Sequence, residues 1–137
     1  MMKKIIFITL ISSSLTFSQI QTPQASPSAK IEQTVGLTKV NIEYSRPAMR
    51  GRVIMGDLVP YGAIWRTGAN ANTKITFSDD VKIGDGILKA GTYAIYTRPD
   101  KLSWDIYFYI KYDNWSIPKK WDDSKVAIQL KVNTTSI

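Results

Sequence analysis

"VKIGDGILKAGTYAIYT", residues 81–97, decides the fold class. It reads as short strands joined by Gly84-Asp85-Gly86. The pair Asp85-Gly86 is a strong tight-hairpin signal, because both turn positions favour residues that tolerate positive φ. No helix follows these glycines, so they form a hairpin and not a phosphate loop. Outward from this stretch the period stays at two. In "KIEQTVG" Ile31, Gln33 and Val35 face one way, and in "TKVNIEY" Val40, Ile42 and Tyr44 do so, with Gly36-Leu37 as the turn between them. "NTKITFS" sets Ile75 and Phe77 against Lys74, Thr76 and Ser78. "WDIYFYIK" sets Trp104, Ile106, Phe108 and Ile110 against Asp105, Tyr107, Tyr109 and Lys111. "KVAIQLKV" sets Val126, Ile128, Leu130 and Val132 against Ala127, Gln129 and Lys131. No window carries apolar residues at helical spacing for three turns. Six or more short strands with Gly and Pro punctuation predict an all-β fold, an antiparallel β-sandwich or a partly open barrel.

A chain of 137 residues is long enough for one such domain. Residues 1–18 read as a secretory signal peptide: Lys3 and Lys4, an apolar stretch from Ile5 to Phe17, then Thr16 and Ser18 at −3 and −1 of a cleavage before Gln19. The apolar run is shorter than the ~20 residues that a membrane span needs, so no span is expected after cleavage. Residues 19–29 are rich in Gln, Ser, Thr and Pro and read as a flexible linker, leaving 30–137 as a single β domain. The expected location is periplasmic or extracellular. The chain has no cysteine, so its hydrophobic core must hold it without disulfides. Its formal charge of +7 falls to +5 once Lys3 and Lys4 leave, which is too dispersed for a nucleic-acid binder.

Residues 45–72 break the alternation. Pro47, Gly51, Gly56, Pro60, Gly62 and Gly68 deny this segment a long helix, yet Val53, Ile54, Met55, Leu58, Val59, Tyr61, Ile64 and Trp65 are too apolar for disorder. It is expected to be one long structured loop folded back on the sheets, with Trp65 largely buried. Four of the five arginines, Arg46, Arg50, Arg52 and Arg66, lie in 21 residues of it that contain no lysine and a single acid, Asp57. Preference for the planar, multi-donor guanidinium points either to bracing of loop carbonyls or to an anionic ligand. Arg66 and at least one of the other three are expected to approach each other around the end of the sheet. With Asn70, in the turn after Arg66, they form the candidate binding set.

The blocks "EYSRP", "GR-I-G-LVPYG--WRTGAN" and "AGTYA-YT", with "NW--P-KWD" later, resemble domain-of-unknown-function family 2911, whose members are typically exported bacterial proteins. The resemblance runs from about Ser26 to Val132. It implies an all-β domain, and it implies no reaction and no site residues. Relatives usually continue past "VAIQLKV" with further strands, so a sheet edge left open is expected.

A second candidate is aromatic. Trp104, Trp115 and Trp121 with Tyr107, Tyr109 and Tyr112 lie within 18 residues. Tyr107 and Tyr109 share a strand face and are either a second core layer or an exposed platform for a glycan. Catalytic machinery is thin. Without histidine or cysteine the common general base, the thiol nucleophile and the usual transition-metal ligands are missing, and no catalytic residue, metal site or cofactor is assigned. Asp79-Asp80 and Asp122-Asp123 read as strand-end or turn residues, or at best as weak calcium ligands. The resulting expectation is a non-catalytic exported binding module for an anionic small molecule, a glycan or an envelope partner. A hydrolase using carboxylates or a serine, and a purely structural module, are the rivals.

Overall fold

The computed structural model of the protein describes residues 22–135. The expected signal peptide and its cleavage point lie outside the described residues. Eight strands form: β1 (Ser28–Val35), β2 (Thr38–Ser45), β3 (Lys74–Phe77), β4 (Val81–Ile83), β5 (Gly86–Leu88), β6 (Gly91–Pro99), β7 (Ser103–Tyr109) and β8 (Val126–Asn133). Six make one antiparallel sheet in the order β1-β2-β3-β6-β7-β8, and β4 and β5 pair separately. The fold is therefore all-β, and no barrel closes, because β1 and β8 lie at opposite ends of the sheet. The first strand begins at Ser28, two residues inside the segment read as linker.

Alternation assigns the two faces of the sheet. On one, Ile75 and Phe77 of β3, Tyr93 of β6 and Phe108 of β7 are buried, joined by Val40, Ile42, Ile95, Ile106, Ile128 and Leu130. The β4–β5 hairpin covers this face with Val81, Ile83 and the enclosed Leu88, which makes a lopsided second layer. Each large side chain buried this way contributes about 1.5–3 kcal/mol of transfer free energy. The hairpin turn sits one residue earlier than expected. Ile83 pairs with Gly86, so Gly84-Asp85 is the turn, with Gly84 at φ 59°. That is the glycine-first geometry which matches the twist of the flanking strands. It also brings the hairpin close over β8, where a Cβ on Gly84 would lie 2.8 Å from Leu130 Cδ2.

One face assignment fails at β8. Phe108 pairs with Ile128 but Tyr109 pairs with Val126, leaving Ala127 as the extra residue of a bulge. A bulge reverses the side on which preceding residues point. Val126 thus packs with Tyr107 and Tyr109 on the opposite face, apart from Ile128 and Leu130. That opposite face carries Ala94, Tyr96, Tyr107 and Tyr109, and the two long connections, β2–β3 and β7–β8, cover it with Ile64 and Trp121.

Candidate functional site

The second half of the β2–β3 loop behaves as a strand without being one. Gly62 N donates to Pro99 O (2.9 Å), Trp65 N to Thr97 O (2.7 Å), and Thr97 N returns a bond to Trp65 O (2.9 Å). The segment therefore lies beside the C-terminal half of β6, where β3 would lie if it were longer. The first half folds on itself through Val59 N to Ile54 O (2.8 Å) and Gly56 N to Val59 O (2.9 Å), burying Val59. Trp65 is half-buried, less than expected from its apolar neighbours. Its ring meets Trp104 edge-on at 6.4 Å, so it packs against another half-buried ring and not beneath a layer.

Immediately after Arg66 the backbone is strained. Thr67 has φ 56°, a conformation that a β-branched residue rarely adopts and that costs about 1–3 kcal/mol. Two threonines hold it: Thr67 Oγ1 and Thr97 Oγ1 share a hydrogen bond of 3.1 Å, and Thr73 Oγ1 donates to Thr67 O at 2.7 Å. Asn70 is also left-handed (φ 58°), and its Nδ2 donates to Ser26 O at 3.2 Å. Asn70 thereby ties the entry segment to the loop.

The loop encloses one side of a concavity of about 640 Å³. Met49, Ile54, Leu58, Ile64 and Trp65 give it apolar walls, and Ile117, from the β7–β8 connection, closes the far side. Arg52 and Arg66 both line it, and no carboxylate does. Their states differ. Arg52 Nε donates to Met49 O (3.0 Å) and its Nη2 to Ala48 O (2.8 Å), so Arg52 braces its own turn. Arg66 Nε is enclosed and has no hydrogen-bond partner among the described residues. Arg46 and Arg50 are exposed and do not line the concavity. The arginine cluster thus resolves into one bracing residue, one unpaired residue facing the same space, and two at the surface.

A family model described as "Protein of unknown function (DUF2911)" matches residues 26–137. The chain belongs to that family. No curated protein and no solved structure matches it. The DUF2911 match spans both walls of the concavity, from Ser26 through Arg66 to Ile117.

The aromatic candidates of this DUF2911 chain fall elsewhere. Tyr107 and Tyr109 are buried, at 4% and 2% exposure, so they offer no open ring face for a sugar to stack on. Trp121 closes over them, with ring centroids 5.3 Å from Tyr107, 4.8 Å from Tyr109 and 5.4 Å from Tyr96. Trp121 Nε1 in turn donates to Asp123 Oδ1 at 2.9 Å. Burial holds the hydroxyls of Tyr96, Tyr107 and Tyr109 above the usual phenol range. This is a core layer, one of the two arrangements open to Tyr107 and Tyr109 in the sequence.

A polar clasp that sequence reading missed anchors the second wall. Buried Asn72 accepts from Tyr96 Oη at 2.7 Å and donates to the carbonyls of Asn114 and Ser116, both at 3.2 Å. It joins the end of one loop to the middle of the other and so fixes Ile117 opposite Arg66. No local signal in the sequence betrays a contact between residues 72 and 114. The adjacent acid pairs are structural. Asp80 accepts from Ala90 N and Lys89 Nζ, and Asp122 caps the short 3-10 turn at Asp123–Lys125.

Proposed function

We propose that this DUF2911 chain is a non-catalytic binding module, exported from the cytoplasm, whose concavity takes a small anion with an apolar body. The observation that carries this reading is the enclosed, unpaired Arg66 Nε in a space lined by no carboxylate. A buried polar group without a partner costs about 1–3 kcal/mol, and an anion beside the guanidinium offsets part of that cost. The strain at Thr67 supports the same reading, because it fixes the direction of the residue before it. The walls favour a ligand with an aliphatic portion, and a planar guanidinium favours phosphate, sulfate or carboxylate oxygens. The glycan reading loses support with the burial of Tyr107 and Tyr109. A carboxylate hydrolase finds no acid in the concavity.

The test is thermal melting at matched ionic strength with chloride, inorganic phosphate and hexyl phosphate. Hexyl phosphate should raise Tm with the logarithm of its concentration above Kd, reaching ~2.7 kcal/mol of stabilisation at a hundred times its Kd. Arg66→Lys keeps the charge but loses the planar guanidinium fork, and should weaken the response. Equal response to all three anions would count against any site here.

A further inference from the structure

β1 lies at one end of the sheet, with β2 on one side and no strand on the other among the described residues. Arg46 N donates to Pro27 O, and this fixes the parity of the β1–β2 ladder. Residues 27, 29, 31, 33 and 35 bond toward β2, so the N–H and C=O groups of Ser28, Lys30, Glu32 and Thr34 point outward. An open row of this kind is a template for another strand. We propose that β1 pairs antiparallel with β1 of a second copy of this chain, about a twofold axis through Ile31.

The register follows from charge. Only outward-pointing residues can exchange hydrogen bonds across the new ladder, so a symmetric pairing must set members of these four opposite one another, and only an axis through Ile31 pairs all four. With the axis at Ile31, Lys30 faces Glu32 of the second copy, Glu32 faces its Lys30, and Ser28 faces its Thr34. Moving the axis to Lys30 sets two lysines directly opposite, and moving it to Glu32 sets two glutamates opposite, both destabilising. Axes at Ala29 and Gln33 avoid like charges but pair only two of the four outward residues of each copy, so the register about Ile31 is the one that is complementary along the whole strand. It also extends a pattern already present within the chain. On the same face Lys30 stands beside Glu43, and Glu43 pairs with Lys74 at 3.2 Å. Glu32 of the second copy continues this alternation of sign by one more strand. On the other face Ile31, half exposed, meets its own copy and lengthens the apolar row Ile31, Ile42, Ile75. A second copy supplies all of these partners by symmetry, which an unrelated strand does not.

The edge lies outside the arginine concavity, so the two readings stand or fall separately. The experiment is sedimentation equilibrium of the purified protein over a wide concentration range, with circular dichroism melts confirming that each variant folds. A monomer–dimer equilibrium is expected. Lys30→Glu puts like charges opposite at two symmetry-related places and should weaken dimerisation about ten-fold or more. The double variant K30E/E32K exchanges the two charges and should restore the affinity to within about three-fold. The chain has no cysteine, so Ile31→Cys reports on geometry directly. Residue 31 and its copy form a non-hydrogen-bonded pair about 4.5 Å apart at Cα, within reach of a disulfide. Ile31→Cys should therefore crosslink on oxidation, whereas Val35→Cys, which faces Pro27 of the second copy, should not. A monomer at every concentration, a dimer indifferent to Lys30→Glu, or a double variant no better than the single one would each overturn the proposal.

Discussion

Replacing Arg66 by methionine should make the unliganded protein more stable. Arg66 is half-buried in a wall of apolar side chains, and its Nε is enclosed with no acceptor among the described residues. Leaving one such donor unpaired costs about 1–3 kcal/mol. Methionine matches the length of the arginine stem and keeps its packing while removing the polar head. A gain of about 1–2 kcal/mol is expected, and for a chain of this length 1 kcal/mol is about 4 °C in Tm. The assay is differential scanning calorimetry in chloride buffer, repeated with saturating hexyl phosphate. Wild type should melt lower than Arg66→Met in chloride and gain on it in the ligand, because only wild type keeps the anion partner. A fall of more than about 4 °C for Arg66→Met in chloride would show that the side chain braces the loop, and the reasoning would be wrong.

Trp121→Ala uncovers Tyr96, Tyr107 and Tyr109 and removes three ring contacts, so a loss of about 2–4 kcal/mol is expected in urea denaturation. Gly84→Ala adds a methyl 2.8 Å from Leu130 at positive φ, while Gly36→Ala adds one at similar φ with nothing within 4 Å. The first should cost about 2–3 kcal/mol and the second about 1, and equal losses would remove the close approach of the hairpin to β8. The buried tyrosine hydroxyls have raised folded pKa values, so their contribution is complete below the unfolded value near pH 10 and is lost as pH rises through the folded values. Urea midpoints should fall from about pH 10 upward, at up to ~1.4 kcal/mol per pH unit for each tyrosine, and Tyr107→Phe should remove its share of the slope. If the first 18 residues are a signal peptide, mass spectrometry of the exported protein gives an N-terminus at or near Gln19, and retention of Lys3 rejects it.

The sheet was legible because a half-buried strand writes its two faces as alternation. Ile75 and Phe77, or Ile106 and Phe108, could be assigned to one side from spacing alone, and the β1–β2 turn at Gly36-Leu37 from its glycine. Val126 could not, since nothing local distinguishes an extra residue at Ala127 from regular pairing. The excess of arginine over lysine marked the right loop, but the pattern could not separate Arg52 from Arg66. That difference depends on which guanidinium reaches a carbonyl, a matter of tertiary distance. Likewise the spacing of Tyr107 and Tyr109 defined a common face without revealing Trp121 above it. The far wall at Ile117 was invisible, because it is set by the Asn72 clasp across more than forty residues of chain.

The strand order has a kinetic consequence. Apart from the inserted β4–β5 hairpin, every neighbour in the sheet is the next strand along the chain. Pairing can therefore start at the short turns of β1–β2 and β6–β7, whereas joining β2 to β3 and β7 to β8 must wait for the two long connections to close. The β2–β3 segment cannot join early: Gly62 and Trp65 need the finished C-terminal half of β6 as their hydrogen-bonding surface. Amide exchange should accordingly rank Gly62 and Trp65 among the first ladder protons released and Phe108 among the last. The arginine concavity is thus assembled on a completed sheet and dismantled before it, opening without unfolding the core beneath.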